Sequence, residues 1–326
     1  MASRPGEARL VTVFGGSGFL GRHVVRALAR RGYRIRAAER RPDLAGHLQP
    51  MGGVGQIQAV QANLRNLESI RRAVAGADAV VNLVGILAET GRQRFDNIHV
   101  EGARRVARAG REAGIASLVH VSAIGADARS NARYARSKAN GEKAVLEELP
   151  GAVIMRPSLV FGPEDQLFNR FAGLAAMSPV MPVIGGRSRF QPVYAGDVAE
   201  AIANALDGRA RPGTVYELGG PEVVTMRQII ERTLAYTGRK RRLAPVPFWF
   251  AKLKAIGFKM LPSSLRPFTL DQMRMLQKDN LVGEAATAEA RSLAGLGVTA
   301  PVSMEMVVPD YLVRFRDHGQ YATYRG

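Results

Sequence analysis

One short stretch near the start of the chain constrains the fold more than any other, a glycine-rich turn set between a strand and a helix. LVTVF (10–14) is an apolar run of the kind buried on both faces of a parallel sheet. GGSGFLG (15–21) follows at once, and apolar residues then repeat at helical spacing until Gly32. YRIRAAE (33–39) supplies a second strand. This order predicts a βαβ unit.

The glycine-rich turn carries the chemistry expected of a dinucleotide site. Small residues let backbone amides approach a pyrophosphate, which then lies at the positive end of the following helix. A purely structural glycine turn is the alternative, but the strand before and the helix after it favour nucleotide binding. The turn residues predicted to bind the cofactor are Gly15, Gly16, Ser17, Gly18, Phe19, Leu20 and Gly21.

The end of the second strand decides between the two nicotinamide cofactors. An acidic side chain there holds the ribose 2′-hydroxyl of NAD, whereas arginine pairs with the 2′-phosphate of NADP. Glu39 occupies the acidic position, but Arg40 and Arg41 follow at once and can clamp a phosphate with paired hydrogen bonds. The sequence therefore favours NADP(H) and leaves NAD(H) open.

Strand-like and helical patterns alternate through the first half of the chain. Further strand-like runs lie at 56–64, 78–87, 114–125 and 151–162, and helical patterns at 95–113 and 131–148 separate the last three. The alternation predicts an α/β fold with a Rossmann-type doubly wound parallel sheet. Ligand contacts are then expected at the carboxyl ends of the strands. The residues placed there, each of which is otherwise an ordinary turn residue, are Asn63, Leu64, Val84, Gly85, Val121, Ser122 and Pro157.

The stretch NARYARSK (131–138) places Tyr134 and Lys138 one helical turn apart. A phenol with a pKa near 10 is a poor acid or base at neutral pH. A nearby ammonium favours the ionised phenol, so the pKa of Tyr134 is expected to be lowered toward the range in which it can transfer a proton.

Four motifs in order resemble the extended and atypical short-chain dehydrogenase/reductase superfamily over roughly the first 165 residues. They are GGSGFLG, NLVG, YARSK read as YxxxK, and RPSLVFGPED. The resemblance implies that Tyr134 exchanges a proton with substrate while hydride passes between nicotinamide and a substrate carbon. It also implies that Lys138 binds the ribose hydroxyls.

The chain departs from that superfamily at the positions that activate substrate. The Ser or Thr of its catalytic triad is expected shortly after the fifth strand, where this chain has Ser122 beside the strand and the apolar Ile124 beyond it. Asn63 stands where the family has Asp, and His99 where it has Asn. Cofactor binding is therefore predicted to be intact and substrate activation to be weakened.

Composition excludes several classes of site. The 326 residues include no cysteine, so disulfides, thiolate nucleophiles and cysteine-based zinc sites are absent, and the five histidines lack metal-ligand spacing. No apolar run approaches the roughly 20 residues that cross a bilayer. The nine residues before the first strand are expected to be too few for a secretory or transit signal. A net charge of +18 favours anionic partners without choosing among them.

The last third of the chain combines cations with aromatic side chains. RKRR (239–242) precedes a segment, 245–261, that mixes Trp249 and Phe250 with lysines. Such a pattern is typical of a segment that lies on an anionic membrane surface. The alternative is a surface helix packed on the protein's own core. No nucleic acid is expected, because no RNA-binding domain pattern accompanies the arginines.

Five segments closely resemble, in order, the NAD(P)H-binding accessory subunit family of respiratory complex I. They are SNARYARSKANGEKAV, VIMRPSLVFGPEDQLFNRFA, FQPVYAGDV, the segment 245–261, and DHGQYATYR. The resemblance implies a tightly held NADPH, docking to core subunits near the quinone site, and no turnover. An independent NADPH-dependent reductase of an apolar carbonyl or quinone-like substrate is the alternative.

The resemblance also implies a domain plan and a location. The nucleotide domain is expected over 1–165, completed by about 190–208, and a smaller C-terminal α/β lobe over 166–326. The basic-aromatic docking segment is expected at about 239–278, with membrane contact at about 239–261. The chain is expected on the cytoplasmic face of a bacterial inner membrane, or on the matrix side in a mitochondrion.

Overall fold

Seven strands form a sheet in which every neighbouring pair runs parallel. A computed structural model describes residues 9–115, 117–250, 269–317 and 319. The strands, numbered in chain order, are β1 (Leu10–Phe14), β2 (Arg34–Glu39), β3 (Ile57–Gln61), β4 (Ala79–Asn82), β5 (Ser117–Val121), β6 (Val153–Pro157) and β11 (Val215–Leu218). Their order is β11-β6-β5-β4-β1-β2-β3, which confirms the predicted Rossmann-type sheet.

The strand order reverses at β1, which lies between β2 and β4. Phe14, the last residue of β1, aligns with Ala38 on one side and with Asn82 on the other. The connection after β1 leads toward β2 and the connection after β4 leads toward β5. A crevice therefore opens outside the carboxyl ends of β1 and β4, where open α/β sheets bind their ligands.

Two groups of helices flank the sheet. α1 (Phe19–Arg30) packs against α6 (Ala195–Asn204), while α3 (Glu101–Glu112) contacts both α2 (Leu67–Val74) and α4 (Arg133–Glu148). Burial of their apolar faces is the main force that holds such layers together. The core associated with the second group includes Phe14, Ile70, Val80, Val106, Leu118, Val145 and Ile154.

The predicted helices 95–113 and 131–148 are confirmed, with one local difference. The first begins as a π-helical turn, Asp96–Val100, that runs directly into α3. A second π-helical turn, Ala205–Arg209, follows α6. Single π turns inside helices are uncommon and are frequent at functional sites. The remaining short helices are α9 (Glu284–Ala288) and the 3-10 turns Pro42–Leu44, Gly46–Met51, Ala294–Leu296 and Val313–Phe315.

The chain divides into two compact units that alternate along the sequence. The first unit consists of Met1–Pro157, Ala195–Leu218 and Gly283–Ala300, and it contains the seven-stranded sheet. The second consists of Ser158–Tyr194, Gly219–Val282 and Pro301–Gly326.

The second unit is built from short strand pairs and helices around its own core. The strand pairs are β7 (Val160–Phe161) with β10 (Val193–Tyr194), β8 (Val180–Ile184) with β13 (Arg242–Val246), and β9 (Arg189–Phe190) with β12 (Val224–Thr225). The helices are α5 (Leu167–Met177), α7 (Met226–Tyr236), α8 (Leu270–Met275) and α10 (Met304–Leu312). α7 buries Met226, Ile229, Ile230 and Leu234, as its amphipathic pattern predicts.

The basic-aromatic segment is described only in part. RKRR leads into β13, and Phe248, Trp249 and Phe250 follow that strand, whereas 251–268, which holds Lys252, Lys254, Phe258 and Lys259 of the predicted membrane contact, lies outside the described residues. Among the helices that the structure describes, none is both long and apolar enough to cross a bilayer.

Candidate nucleotide-binding site

The glycine-rich turn brings backbone atoms together more closely than side chains would allow. Gly15 has a φ of +82°, a left-handed conformation that favours glycine. A Cβ atom on Gly21 would lie 2.1 Å from the Gly15 carbonyl oxygen and 2.6 Å from the Gly16 carbonyl carbon. Gly21 therefore lets the first turn of α1 rest directly on the turn after β1, as close helix–strand packing in a dinucleotide fold requires.

No acidic side chain of the first turn of α1 competes with an anion. Gly18 occupies the N-cap position, where it offers no side-chain acceptor, and the turn contains no acidic residue. The positive end of the helix is therefore available to a phosphate group. Phe19 and Leu20 lie in this turn and are half-exposed, while Gly16 is buried between Ala37 and Val25.

The end of β2 reaches back to the glycine-rich turn. The Ser17 amide donates a 2.6 Å hydrogen bond to the Glu39 carboxylate, so Glu39 stands at the position that the sequence predicts for it. The two arginines that follow differ. Arg41 pairs with Asp43 at 2.7 Å, whereas the exposed Arg40 makes no ion pair with any described residue. Arg40 is thus the cation available to a 2′-phosphate.

Val84 and Gly85 form the opposite side of the crevice. A Cβ atom on Gly15 would lie 3.2 Å from a Val84 methyl group, so the segment after β4 passes directly beside the glycine-rich turn. Gly85 is exposed, and a Cβ atom on it would lie 3.3 Å from Lys138 Nζ. The structure therefore brings Val84, Gly85 and Lys138 together at the switch point of the sheet.

Asn63 and Leu64 make structural contacts in the loop after β3. The Asn63 side chain accepts a 3.1 Å hydrogen bond from the Arg65 amide, a turn in which asparagine is common. Leu64 is buried in the core that contains Ile70. The contacts of both side chains are those of ordinary loop residues, which is the alternative to ligand binding.

Val121, Ser122 and Pro157 lie at the carboxyl ends of β5 and β6. Lys138 is 5% exposed and donates a 3.1 Å hydrogen bond to the Val121 carbonyl oxygen. Ser122 is 4% exposed, and its hydroxyl has no hydrogen-bond partner among the described residues. A buried hydroxyl without a partner is costly in a protein interior, which makes Ser122 a candidate contact for a bound ligand. The carbonyl of Pro157 accepts a hydrogen bond from the Ile124 amide.

The expected lowering of the Tyr134 pKa is wrong for the structure. The ring is half-buried against Phe95 and His99, and burial raises the pKa of Tyr134 to about 12. Burial also lowers the pKa of Lys138 to about 8, which a neighbouring carboxylate, Glu142, partly opposes. Desolvation disfavours the charged form of each group, and here it outweighs the helical proximity of the pair.

Sequence reasoning missed the contacts of His99. It treated His99 only as a replacement for asparagine, whereas its Nε2 atom lies 3.0 Å from the Ile86 amide and its Nδ1 atom lies 2.8 Å from the Ser137 hydroxyl. A histidine inside a helix whose neighbours are mostly small or charged was a usable signal. Only the fold, however, reveals both of its partners.

A second histidine and a buried ion pair also lie near Lys138. His120, on β5, bonds to the Asn82 side chain at 3.2 Å, and burial, together with the charge of Lys138, lowers its pKa to about 3. Glu142 pairs with Arg156 through two hydrogen bonds of 2.9 and 2.6 Å. Lys138 thus has neutral imidazoles on one side and a compensated carboxylate one helical turn away.

These features fit a dinucleotide. The Gly21 cradle would be filled by any Cβ atom, the start of α1 lacks an acidic side chain, and the Ser122 hydroxyl has no partner in the part of the chain that the structure describes. A bound nicotinamide nucleotide would supply hydride chemistry at this crevice. Within the described residues, no group of three or more His, Asp or Glu side chains is arranged to hold a metal ion.

We expect nucleotide affinity to fall as the pH rises from 7 to 9. The pKa of Lys138 is about 8, so its ammonium is lost over this interval, and with it a charge-assisted contact whose loss weakens binding about tenfold. Fluorescence titration of NADPH measures the effect. Lys138→Met should bind weakly at every pH, and a flat wild-type profile would show that the ammonium does not contribute.

The lowered pKa of Lys138 also predicts that stability rises with pH, whereas affinity falls. Between about 8 and the ordinary value of 10.5, the unfolded chain binds more protons at Lys138 than the folded chain does. The free energy of unfolding of the wild type, relative to Lys138→Met, should therefore rise with pH in this window. Urea unfolding at pH 8 and at pH 10 measures the difference.

Comparison with known proteins places the site in a family context. Residues 11–219 match the model of the NAD dependent epimerase/dehydratase family. The chain is 36% identical over 288 residues to the mitochondrial NADH dehydrogenase (ubiquinone) 1 alpha subcomplex subunit 9 of Arabidopsis thaliana. That match covers 85% of this chain and 72% of the relative.

Two further similarities concern reductases. The chain is 35% identical to the ceramide reductase of Caulobacter vibrioides over 193 residues, 59% of either chain. In fold it is similar to the NADPH-dependent quinone oxidoreductase QOR2 of Escherichia coli in complex with NADPH, with a TM-score of 0.72. The two chains share 20% sequence identity, and the match covers 93% of this chain and 99% of that one.

Proposed function

Since the chain belongs to the NAD dependent epimerase/dehydratase family, and within it to that of the alpha subcomplex subunit 9 of complex I, we propose that it is a nucleotide-holding accessory subunit of this complex. In this proposal the protein keeps NADP(H) bound as a structural element and does not turn it over. The relationship along 85% of the chain is the observation that carries it.

The geometry of the site supports a bound nucleotide without turnover. The turn around Gly21, the start of α1 and Lys138 all suit a dinucleotide. The groups that would activate a substrate are less favourable, because the pKa of Tyr134 is raised and the position beyond Ser122 holds the buried Ile124. Binding is therefore better supported than proton transfer.

For the cofactor, we expect Arg40→Ala to weaken NADPH more than NADH. Arg40 is exposed beside Glu39 and has no ion pair among the described residues, so its guanidinium can bind the 2′-phosphate. Loss of one charged hydrogen bond should weaken NADPH by about tenfold or more. Calorimetric titration with both nucleotides measures this, with Arg41→Ala, whose guanidinium pairs with Asp43, as the control. Equal losses for the two nucleotides would remove the argument for NADP(H).

The proposed docking uses the second unit. Trp249 is 69% exposed, and its ring lies 5.7 Å from that of Phe250, an aromatic pair of the kind enriched at membrane and protein interfaces. Lys240 and Arg242 are exposed on the same segment. The proposal places this surface against core subunits near the quinone site and against anionic lipid, on the cytoplasmic face of a bacterial inner membrane.

Co-purification tests the accessory role. The full chain, carrying an affinity tag, should be recovered from detergent-solubilised membranes together with NADH:quinone oxidoreductase, and mass spectrometry of the native protein should find NADP(H). A protein that is purely soluble and absent from the complex would contradict the proposal. Recovery with the complex but without a nucleotide would contradict only the structural cofactor.

A second candidate is an independent NADPH-dependent reductase of an apolar carbonyl or quinone-like substrate at the membrane surface. The specific observation in its favour is the intact pair of Tyr134 and Lys138 in a chain related to a ceramide reductase. Tyr134 would donate the proton to the carbonyl oxygen. NADPH oxidation with a panel of apolar ketones and quinones, and its loss in Tyr134→Phe, would support this role. No turnover across the panel would reject it.

A further inference from the structure

His99 is buried in the π-helical turn before α3, and both of its ring nitrogens are hydrogen-bonded. The ring is 2% exposed. Nε2 lies 3.0 Å from the Ile86 amide nitrogen, and Nδ1 lies 2.8 Å from the Ser137 hydroxyl. Ser137 in turn donates a 2.8 Å hydrogen bond to the carbonyl of Tyr134. Three hydrogen bonds in series therefore join the loop after β4 to the first turn of α4.

The partners of His99 allow only one protonation state. A backbone amide can only donate, so Nε2 must accept the hydrogen bond from Ile86. The single hydroxyl proton of Ser137 is committed to the Tyr134 carbonyl, so Nδ1 must carry the proton that His99 shares with Ser137. The imidazole is thus neutral and protonated on Nδ1. A proton on Nε2 would set two donors against each other at Ile86.

Burial and the nearby ammonium of Lys138 disfavour a positive charge on the ring. Lys138 on α4 and His120 on β5 are the titratable groups that face it, while Phe95 stacks on it at 5.3 Å and the Tyr134 ring meets it edge-on at 5.5 Å. Burial, followed by the electrostatic effects of Lys138 and of the neighbouring His120, lowers the pKa of His99 to about 2. The hydrogen-bond series therefore persists through the physiological pH range.

The series also contacts Gly85 and Lys138 on this side of the crevice. A Cβ atom on Gly85 would lie 3.3 Å from Lys138 Nζ and 3.7 Å from His99 Nε2, so the exposed backbone of Gly85 rests on both side chains. The ring of His99 also supports that of Tyr134. A change at His99 would displace the loop after β4, Tyr134 and Lys138 together.

We infer that His99 is a positioning residue, whose neutral Nδ1-protonated imidazole ties the loop after β4 to α4 and so holds Gly85, Tyr134 and Lys138 in the arrangement that receives the nucleotide. That this arrangement receives a nucleotide rests on the proposed function, whereas the hydrogen-bonded coupling of the loop after β4 to α4 does not. The required chemistry is one donor and one acceptor on a rigid planar group, with the donor directed to Ser137 and the acceptor to Ile86.

The protonation state is tested by NMR of the full chain labelled with ¹⁵N-histidine. We expect one histidine, absent from the spectrum of His99→Gln, to show a protonated Nδ1 and an unprotonated Nε2, with shifts that do not change between pH 5.5 and 8. The exposed His47 gives a solvent-facing reference signal in the same spectrum. A proton on Nε2 of His99, or titration of His99 within this range, would overturn the inference.

The coupling is tested with matched variants and NADPH as the probe. Glutamine offers a donor and an acceptor on one planar group, so His99→Gln should bind NADPH within about threefold of the wild type, whereas His99→Leu should bind it about tenfold more weakly. Ser137→Ala should weaken binding, and adding it to His99→Leu should cause no further loss, because one series has already been broken. Additive losses, or equal losses in His99→Gln and His99→Leu, would contradict the coupling.

The two experiments separate this inference from the proposed function. If the wild type binds neither NADPH nor NADH, the proposed function fails, and the NMR measurement alone decides the role of His99. If His99→Leu does not fold, His99→Gln and Ser137→Ala still test the series. A His99→Gln variant that folds normally but releases NADPH as fast as Ser137→Ala would count against a positioning role.

Discussion

Replacing Gly21 with alanine is expected to abolish nucleotide binding and to lower the free energy of unfolding by about 3 kcal/mol. The added methyl group would lie 2.1 Å from the Gly15 carbonyl oxygen and 2.6 Å from the Gly16 carbonyl carbon. These are backbone atoms of a tight turn, so they cannot rotate away as a side chain can. The turn and α1 must separate, which displaces the amides that would bind the pyrophosphate.

Urea unfolding and NADPH titration of the same preparations measure both parts of this result. Gly46→Ala is the matched control, because a Cβ atom on Gly46 meets nothing within 4 Å. That variant should keep the affinity and the stability of the wild type within experimental error. If Gly21→Ala binds NADPH normally, the glycine-rich turn is not the nucleotide cradle.

Replacing Glu142 with alanine is expected to lower the free energy of unfolding by about 2–3 kcal/mol. The Glu142 side chain is 7% exposed and holds Arg156 through two hydrogen bonds. Its removal leaves the guanidinium with Glu217 at 3.5 Å as its remaining carboxylate. A partly buried cation that loses its main partner is costly because little water can replace the lost contact.

Glu147→Ala is the control for this effect. Glu147 lies on the same helix, α4, but its side chain is 47% exposed, and its partners Arg104 and Lys143 are exposed as well. Breaking exposed pairs should cost less than about 1 kcal/mol. Chemical denaturation compares the two variants. Equal losses would show that the pair of Glu142 and Arg156 contributes nothing beyond its helical position.

The fold and the glycine-rich turn could be predicted because short stretches of sequence determine them. The strand before Gly15, the helix after Gly18 and the spacing to Glu39 depend on residues within 40 positions of one another. The carboxyl ends of the strands follow from the βαβ rhythm alone, which is why Val84, Gly85 and Val121 are predicted at the edge of the sheet where the structure has them.

What the sequence did not reveal depends on burial and on distant partners. The pKa of Tyr134 is set by how deeply its ring is packed, which helical spacing to Lys138 does not express. His99 finds Ile86 and Ser137 only when the sheet brings the loop after β4 beside α4. Leu64 follows a strand, as a ligand contact would, yet its side chain is directed into the core.

Because the two units alternate along the sequence, the first unit can be completed only late in synthesis. β11 (Val215–Leu218) covers one edge of β6, and α6 packs against α1, so the nucleotide-holding unit cannot close when residue 165 leaves the ribosome. Residues still further along the chain are also needed. The Gly283 amide donates a hydrogen bond to Glu217, and the Leu296 carbonyl accepts one from Asn204. Until these pieces emerge, β6 presents an open strand edge, a surface that invites pairing with other chains. Nascent copies should therefore be most exposed to such pairing between the emergence of β6 and that of β11.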